Sequence, residues 1–132
     1  MLFIVWIVYF IFMFILRVCP TIMFYSKKSN LKPSERLRLA MMQEIGGVLV
    51  FGDFYPHRNH IEIYLFNCRK DGHSPFKTVI HELRHAWQLK TGFMRFDFEG
   101  IITNIEECDE DAEQYVQKWT SRLKLNRKEV KL

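Results

Sequence analysis

The chain has 132 residues, room for one domain with a real core and not for two. Its 48% hydrophobic content excludes a disordered chain, a collagen and a multi-pass membrane protein, and no internal repeat marks a solenoid. The net charge of +4 comes in blocks: basic residues from Arg17 to Arg38 and from Arg122 to Lys131, and an acidic run from Glu106 to Glu113. Neither basic block shows the aromatic interleaving or the motif of a nucleic-acid binder, so no nucleic-acid partner is expected.

The apolar average hides a split. Residues 1–25 hold 22 hydrophobic residues and 8 of the 20 aromatics, against 42 hydrophobic residues among the other 107, or 39%. Residues 1–16 contain no polar break, and as a helix that run spans roughly 24 Å, a little short of a bilayer core of about 30 Å. One expectation is a single membrane anchor over residues 1–25, and the basic residues that follow then place the domain on the cytoplasmic side. A signal peptide would need basic residues before the run and a small-residue cleavage site after it, and both are missing. Two other readings stand beside the anchor: a hydrophobic leader packed on the domain, and a cytoplasmic protein whose translation starts at Met23. The three cysteines, Cys19, Cys68 and Cys108, form no framework and no CxxC pair, although a Cys68–Cys108 bridge stays open.

Residues 26–32 read as a polar linker, 33–124 as the domain and 125–132 as a basic tail. Pro33 and Ser34 open a helix in which Leu37, Ala40, Met41 and Ile45 recur at helical spacing, and Gly46-Gly47 ends it. Val48 to Phe51 is expected as a short strand, residues 52–59 as a turn-rich connection, and His60 to Phe66, which alternates, as a half-buried strand antiparallel to the first. Residues 67–73 read as loop. Ser74 and Pro75 start the next helix, which ends before Gly92. The last helix starts at Thr103 or Asn104, where Glu106 or Glu107 would complete a capping box, and runs to about Leu123. Helix, strand, strand, helix, helix makes a small α+β domain.

Within the helix that follows Ser74 stands His81-Glu82-Leu83-Arg84-His85. Residues four apart on a helix share a face, so both imidazoles can reach one metal ion, and Glu82 can hold a water beside it as general base. The helix's apolar face centres on Leu83, with Phe76, Val79, Ile80, Ala86 and Trp87 within about 60° of it. The two histidines lie about 160° away with Thr78 and Gln88. A catalytic zinc site needs a third protein ligand and an open position. Six residues after His85 stands Thr91, which excludes the longer metzincin pattern. His57, His60 and His73 lie upstream without a ligand-like arrangement. On the last helix, whose apolar face centres on Ala112, Asp109 lies about 60° from the centre, Glu113 about 100° and Glu106 about 120°. Glu107, Glu110 and Asp111 read as a solvated helix start favoured by the dipole.

Over roughly residues 33–123 these features resemble the gluzincin group of zinc metallopeptidases, and most closely its minimal bacterial and phage members. In that family a glutamate on a second helix is the third ligand, followed by a small residue three positions on. Asp109-Glu110-Asp111-Ala112 occupies that pattern with aspartate in place of glutamate, and Glu113 and Glu106 stand as alternatives. The resemblance implies a minimal zincin-like fold with an antiparallel sheet of two or slightly more strands. It also implies Zn²⁺ held by His81, His85 and Asp109, Glu82 as the catalytic base, and a peptide or protein substrate. Residues 60–66 would be the strand bordering the cleft, able to pair with an extended peptide. Tyr115 and His73 are candidates for the oxyanion partner, and Glu106 and Glu113 for orienting the histidines. The alternative is a non-catalytic zincin scaffold that binds peptides or associates with a membrane.

Overall fold

The computed structural model describes residues 2–8 and 19–129. Residues 2–8 are helical with every side chain exposed, and the rest of the apolar run and the end of the basic tail lie outside the described residues. No helix among the described residues is long and apolar enough to cross a membrane.

The chain folds as an α+β domain around a small mixed sheet. In order it forms β1 (Thr21–Tyr25), α1 (Pro33–Gly46), β2 (Gly52–Tyr55), β3 (His60–Tyr64), α2 (Leu65–Asp71), α3 (Pro75–Thr91) and α4 (Ile105–Glu129). The strand order is β1-β3-β2, with β1 parallel and β2 antiparallel to the central β3. The sheet is therefore not purely antiparallel, and its third strand comes from the end of the apolar head. Pro20 cannot continue a helix, and Thr-Ile-Met-Phe-Tyr suits a pleated strand. A start at Met23 would remove Thr21 and Ile22, two of the five residues paired with β3.

β3 alternates as its sequence indicates. Ile61 and Ile63 are fully buried on one face, in a cluster with Phe54, Ala86, Met94 and Cys108. His60, Glu62 and Tyr64 face the other side, where Tyr64 packs with Leu31 and Leu39. Being central, β3 is paired along both sides, so it is not the strand that borders the cleft with a free edge; that strand is β2. β2 begins four residues later than its hydrophobicity suggests, at Gly52 paired with Ile63, where the strand passes close to α3. A Cβ on Gly52 would stand 2.7 Å from Thr78 Cγ2 and 3.1 Å from the Glu62 carbonyl oxygen. The first neighbour is a stiff β-branched side chain and the second is backbone, so neither yields readily. Gly52→Ala is expected to cost about 1–3 kcal/mol of stability by overpacking. Thermal unfolding of the variant checks this, and an unchanged midpoint would contradict it.

Residues 65–71 coil into α2 rather than extending the strand, and left-handed Gly72 closes that helix. α1 also turns over relative to its hydrophobic spacing: Leu39 is buried, while Leu37, Met41 and Ile45 face solvent. The side toward the sheet is fixed by a polar contact, Gln43 Oε1 accepting from Val50 N and Asn67 Nδ2. On α4, Cys108, Ala112 and Val116 form the buried stripe, and Ala112 has no side chain beyond Cβ to hold α3 away. Asn104 does not form the expected capping box. Its side chain instead accepts from Arg95 N and donates to the Phe93 carbonyl, tying down the loop between α3 and α4. Cys68 and Cys108 are both buried and free, so no bridge joins them.

Candidate metal centre

α3 begins as expected, with the Ser74 side chain capping it and Pro75 in the first turn, and ends at left-handed Gly92. Its orientation departs from what hydrophobicity alone would choose, although Ile80 and Ala86 of the apolar face are buried. Thr78, Glu82, His85 and Gln88 face inward, while Phe76, Leu83 and Trp87 are exposed. A polar face can be buried only if its groups find partners, and those partners build the site.

Three ligand-type atoms converge between α3 and α4. His81 Nε2 and His85 Nε2 lie 3.1 Å apart. Asp109 Oδ1 is 3.2 Å from His85 Nε2 and 4.0 Å from His81 Nε2. All three atoms fall within 4.8 Å of one another. Donors about 2 Å from a tetrahedral zinc stand roughly 3.3 Å apart, so the cluster has the dimensions of three corners of such a site. Glu113 is not in the cluster: its Oε2 lies 3.8 Å from His81 Nδ1, the ring nitrogen facing away from the other two donors. Glu106 is exposed on the first turn of α4 and also lies outside the cluster.

The His85 tautomer follows from Gln88, which is fully buried. Gln88 Nε2 donates to the Cys108 carbonyl and to Asp111 Oδ2, both at 2.8 Å. Both partners only accept, so the amide orientation is fixed and Gln88 Oε1 faces His85 Nδ1 at 2.8 Å. That nitrogen must carry the hydrogen, which leaves the Nε2 lone pair of neutral His85 pointing at His81 and Asp109. Asp111 is held in turn by Arg84, Nε to Oδ2 at 2.8 Å and a second guanidinium nitrogen to Oδ1 at 3.3 Å. The Arg84 hydrogen bond outweighs partial burial and holds the Asp111 carboxyl below its ordinary range. By helical position alone, Asp111 belongs with the solvated acids and the orienting role falls to Glu106 or Glu113. Gln88 and Asp111 hold His85 instead, and the signal was Gln88's place on the histidine face.

The histidines titrate in opposite directions. Burial, followed by the charge of His85, lowers His81. Burial also pulls His85 down, but the Asp109 hydrogen bond, the Glu82 charge and the Gln88 contact outweigh it and leave it raised. Two Nε2 atoms 3.1 Å apart cannot both carry a proton.

Glu82 is buried beside this cluster, and desolvation pushes its carboxyl up to about 8. The folded metal-free protein thus favours the neutral acid. The stability this gives is fully present below the ordinary value of 4.5 and is lost as the pH rises through about 8. With chelator present, the wild type is expected to lose thermal stability relative to Glu82→Gln between pH 5 and pH 9. Parallel unfolding curves for the two proteins across that range would contradict it.

Two clefts meet at the site, sharing Gly52, His81, Glu82 and Asp109 in their walls. One, about 490 Å³, adds Val48, Val50, Phe51 and Val116, with His73 and Lys77. The other, about 290 Å³, adds Asp53, Phe54, Met94, Ile102 and Ile105. The edge strand β2 runs along both. His73 stacks on Phe51 with centroids 4.0 Å apart and lines the larger cleft. Tyr115 does not reach either cleft: it lies on the far side of α3 under the Arg84 guanidinium, 4.4 Å from its ring centre. His57 and His60 are also elsewhere, His57 against Phe96 and His60 bonded to Thr21 on the other face of the sheet.

No protein-family model, curated protein or solved structure matches this chain.

Proposed function

We propose that the chain is a zinc-dependent metallopeptidase of minimal gluzincin type. The observation that carries this is the convergence of His81 Nε2, His85 Nε2 and Asp109 Oδ1 within 4.8 Å, in a cleft where buried Glu82 lies next to them. Two neutral imidazoles and a carboxylate are the donor types zinc prefers, and three protein donors leave a fourth position for reaction.

Zinc bound there supplies Lewis acidity, polarising a carbonyl and acidifying a water. The chain's own groups do the rest. Gln88 fixes the His85 ring through Nδ1 and keeps Nε2 available. Glu82, which in the metal-free protein sits near neutral pH, is suited both to accept a proton from the attacking water and to return it to the leaving amine nitrogen. Among the described residues β2 is an edge strand along the cleft, and an extended peptide can add there by main-chain hydrogen bonds. His73 lines the larger cleft, along with Lys77, and is our candidate to hydrogen-bond the developing oxyanion.

The test is hydrolysis of a fluorogenic peptide library by the full chain. Cleavage should appear with zinc, vanish with chelator and return when zinc is restored. Zinc retention without cleavage of any peptide would favour the second reading, a non-catalytic zincin scaffold, which the exposed and short-armed Asp109 favours.

A further inference from the structure

Ile80 and Ala86 of α3's apolar face are buried, but Phe76, Leu83 and Trp87 stay at the surface. Phe76, Leu83 and Trp87 are 53%, 38% and 45% exposed, and across a groove of about 360 Å³ stand Tyr115 and Trp119 of α4, the latter 38% exposed. The charged residue of the groove wall is Arg84, whose guanidinium carbon lies 3.7 Å from the Trp87 ring centre and 4.4 Å from that of Tyr115. Its charge is already balanced by Asp111. Around this patch the helix spacing brings up cations. Lys90 continues the Leu83 line on α3, about 20° off, and Lys118 and Arg122 lie within about 60° of Tyr115 on α4. Arg122 reaches toward the Trp119 ring, 5.7 Å from its centre.

We infer that this face of α3 and α4 docks on an anionic lipid bilayer surface. Tryptophan and tyrosine rings with arginine and lysine at their edges match the headgroup boundary, where one end of each side chain meets hydrocarbon and the other meets water and phosphate. The surrounding charge is positive and complements anionic lipid. The same charge opposes a second copy of this chain, which would set cations against cations across a two-fold axis. The exposed apolar helix of residues 2–8 gives the chain another surface of the same solvent preference. Because the histidines lie about 160° around α3 from Leu83, a docked chain keeps its cleft open to water. The inference stands independently of whether the site binds zinc.

The experiment uses the full chain carrying Trp6→Phe, so that Trp87 and Trp119 are the remaining tryptophans, and vesicles with brominated acyl chains. With phosphatidylglycerol vesicles the fluorescence should fall to half or less, and with phosphatidylcholine alone much less. Leu83→Asp, a change at a partly exposed site, should restore most of the emission while circular dichroism stays unchanged. Vesicle binding without quenching would assign attachment to the N-terminal residues alone and overturn the inference. So would a lipid-free dimer that Leu83→Asp dissolves, or no vesicle binding at all. The quenching in the Trp6→Phe protein leaves the groove intact, so the result does not depend on Leu83→Asp folding.

Discussion

Glu82→Gln is expected to lower peptide hydrolysis by about 10²–10⁴-fold while leaving zinc bound, the usual span for removing a general base. The amide is nearly isosteric, and Glu82 is not among the three converging donors, so the metal site should persist. The substitution also removes a carboxyl that the fold holds largely neutral, so the variant should be no less stable than the wild type at neutral pH. Loss of rate with zinc and stability retained would isolate proton transfer. Loss of zinc along with rate would instead make Glu82 part of the metal site, and an unchanged rate would remove it from the chemistry. The readout is kcat/KM on the best peptide from the library, with zinc content measured on the same samples.

Gln88→Leu should have the second large effect. Leucine fits the volume but ends three hydrogen bonds at once: to His85 Nδ1, to the Cys108 carbonyl and to Asp111. Buried acceptors left without donors cost about 1–3 kcal/mol each. The freed His85 ring loses its fixed tautomer, and losing an orienting partner of this kind typically costs about 10–100-fold in metal affinity. Zinc titration against a competing chelator gives the affinity, and thermal unfolding in chelator gives the stability. Because stability is read in a separate measurement, a drop in affinity can be told apart from a general loss of fold. Unchanged zinc affinity in a folded Gln88→Leu protein would show that His85 is oriented by something else.

The histidine helix was legible in the sequence because every signal for it is local. Ser74-Pro75 starts it, Gly92 stops it, and the one-turn spacing of His81 and His85 puts both on one face. Asp109 was legible for a similar reason, through its place beside Ala112 on the α4 stripe. The direction in which α3 points was not legible. Its hydrophobic face turns Thr78, His85 and Gln88 outward, and the fold buries them along with Glu82 because Gln88, Asp111 and Arg84 satisfy each other across two helices. That network joins residues 23 to 27 positions apart, beyond the reach of helical periodicity. β3 was legible from its alternation, while β1 and the bounds of β2 were not, for related reasons. β1 lies in a run of apolar residues that reads as a continuation of the head, and its parallel pairing with β3 joins residues 39 apart. β2 begins at Gly52-Asp53, a pair that reads as a turn, and is a strand because it pairs with β3, with glycine where the histidine helix comes close.

The central claim is that His81, His85 and Asp109 together hold zinc. It is tested most directly by zinc content per chain, measured by mass spectrometry on the full chain dialysed against buffered trace zinc. The wild type should hold one zinc, His85→Ala should hold none, and Asp109→Ala should lose most of its zinc at the same free concentration. A wild type without zinc, or a His85→Ala protein that keeps it, would contradict the claim.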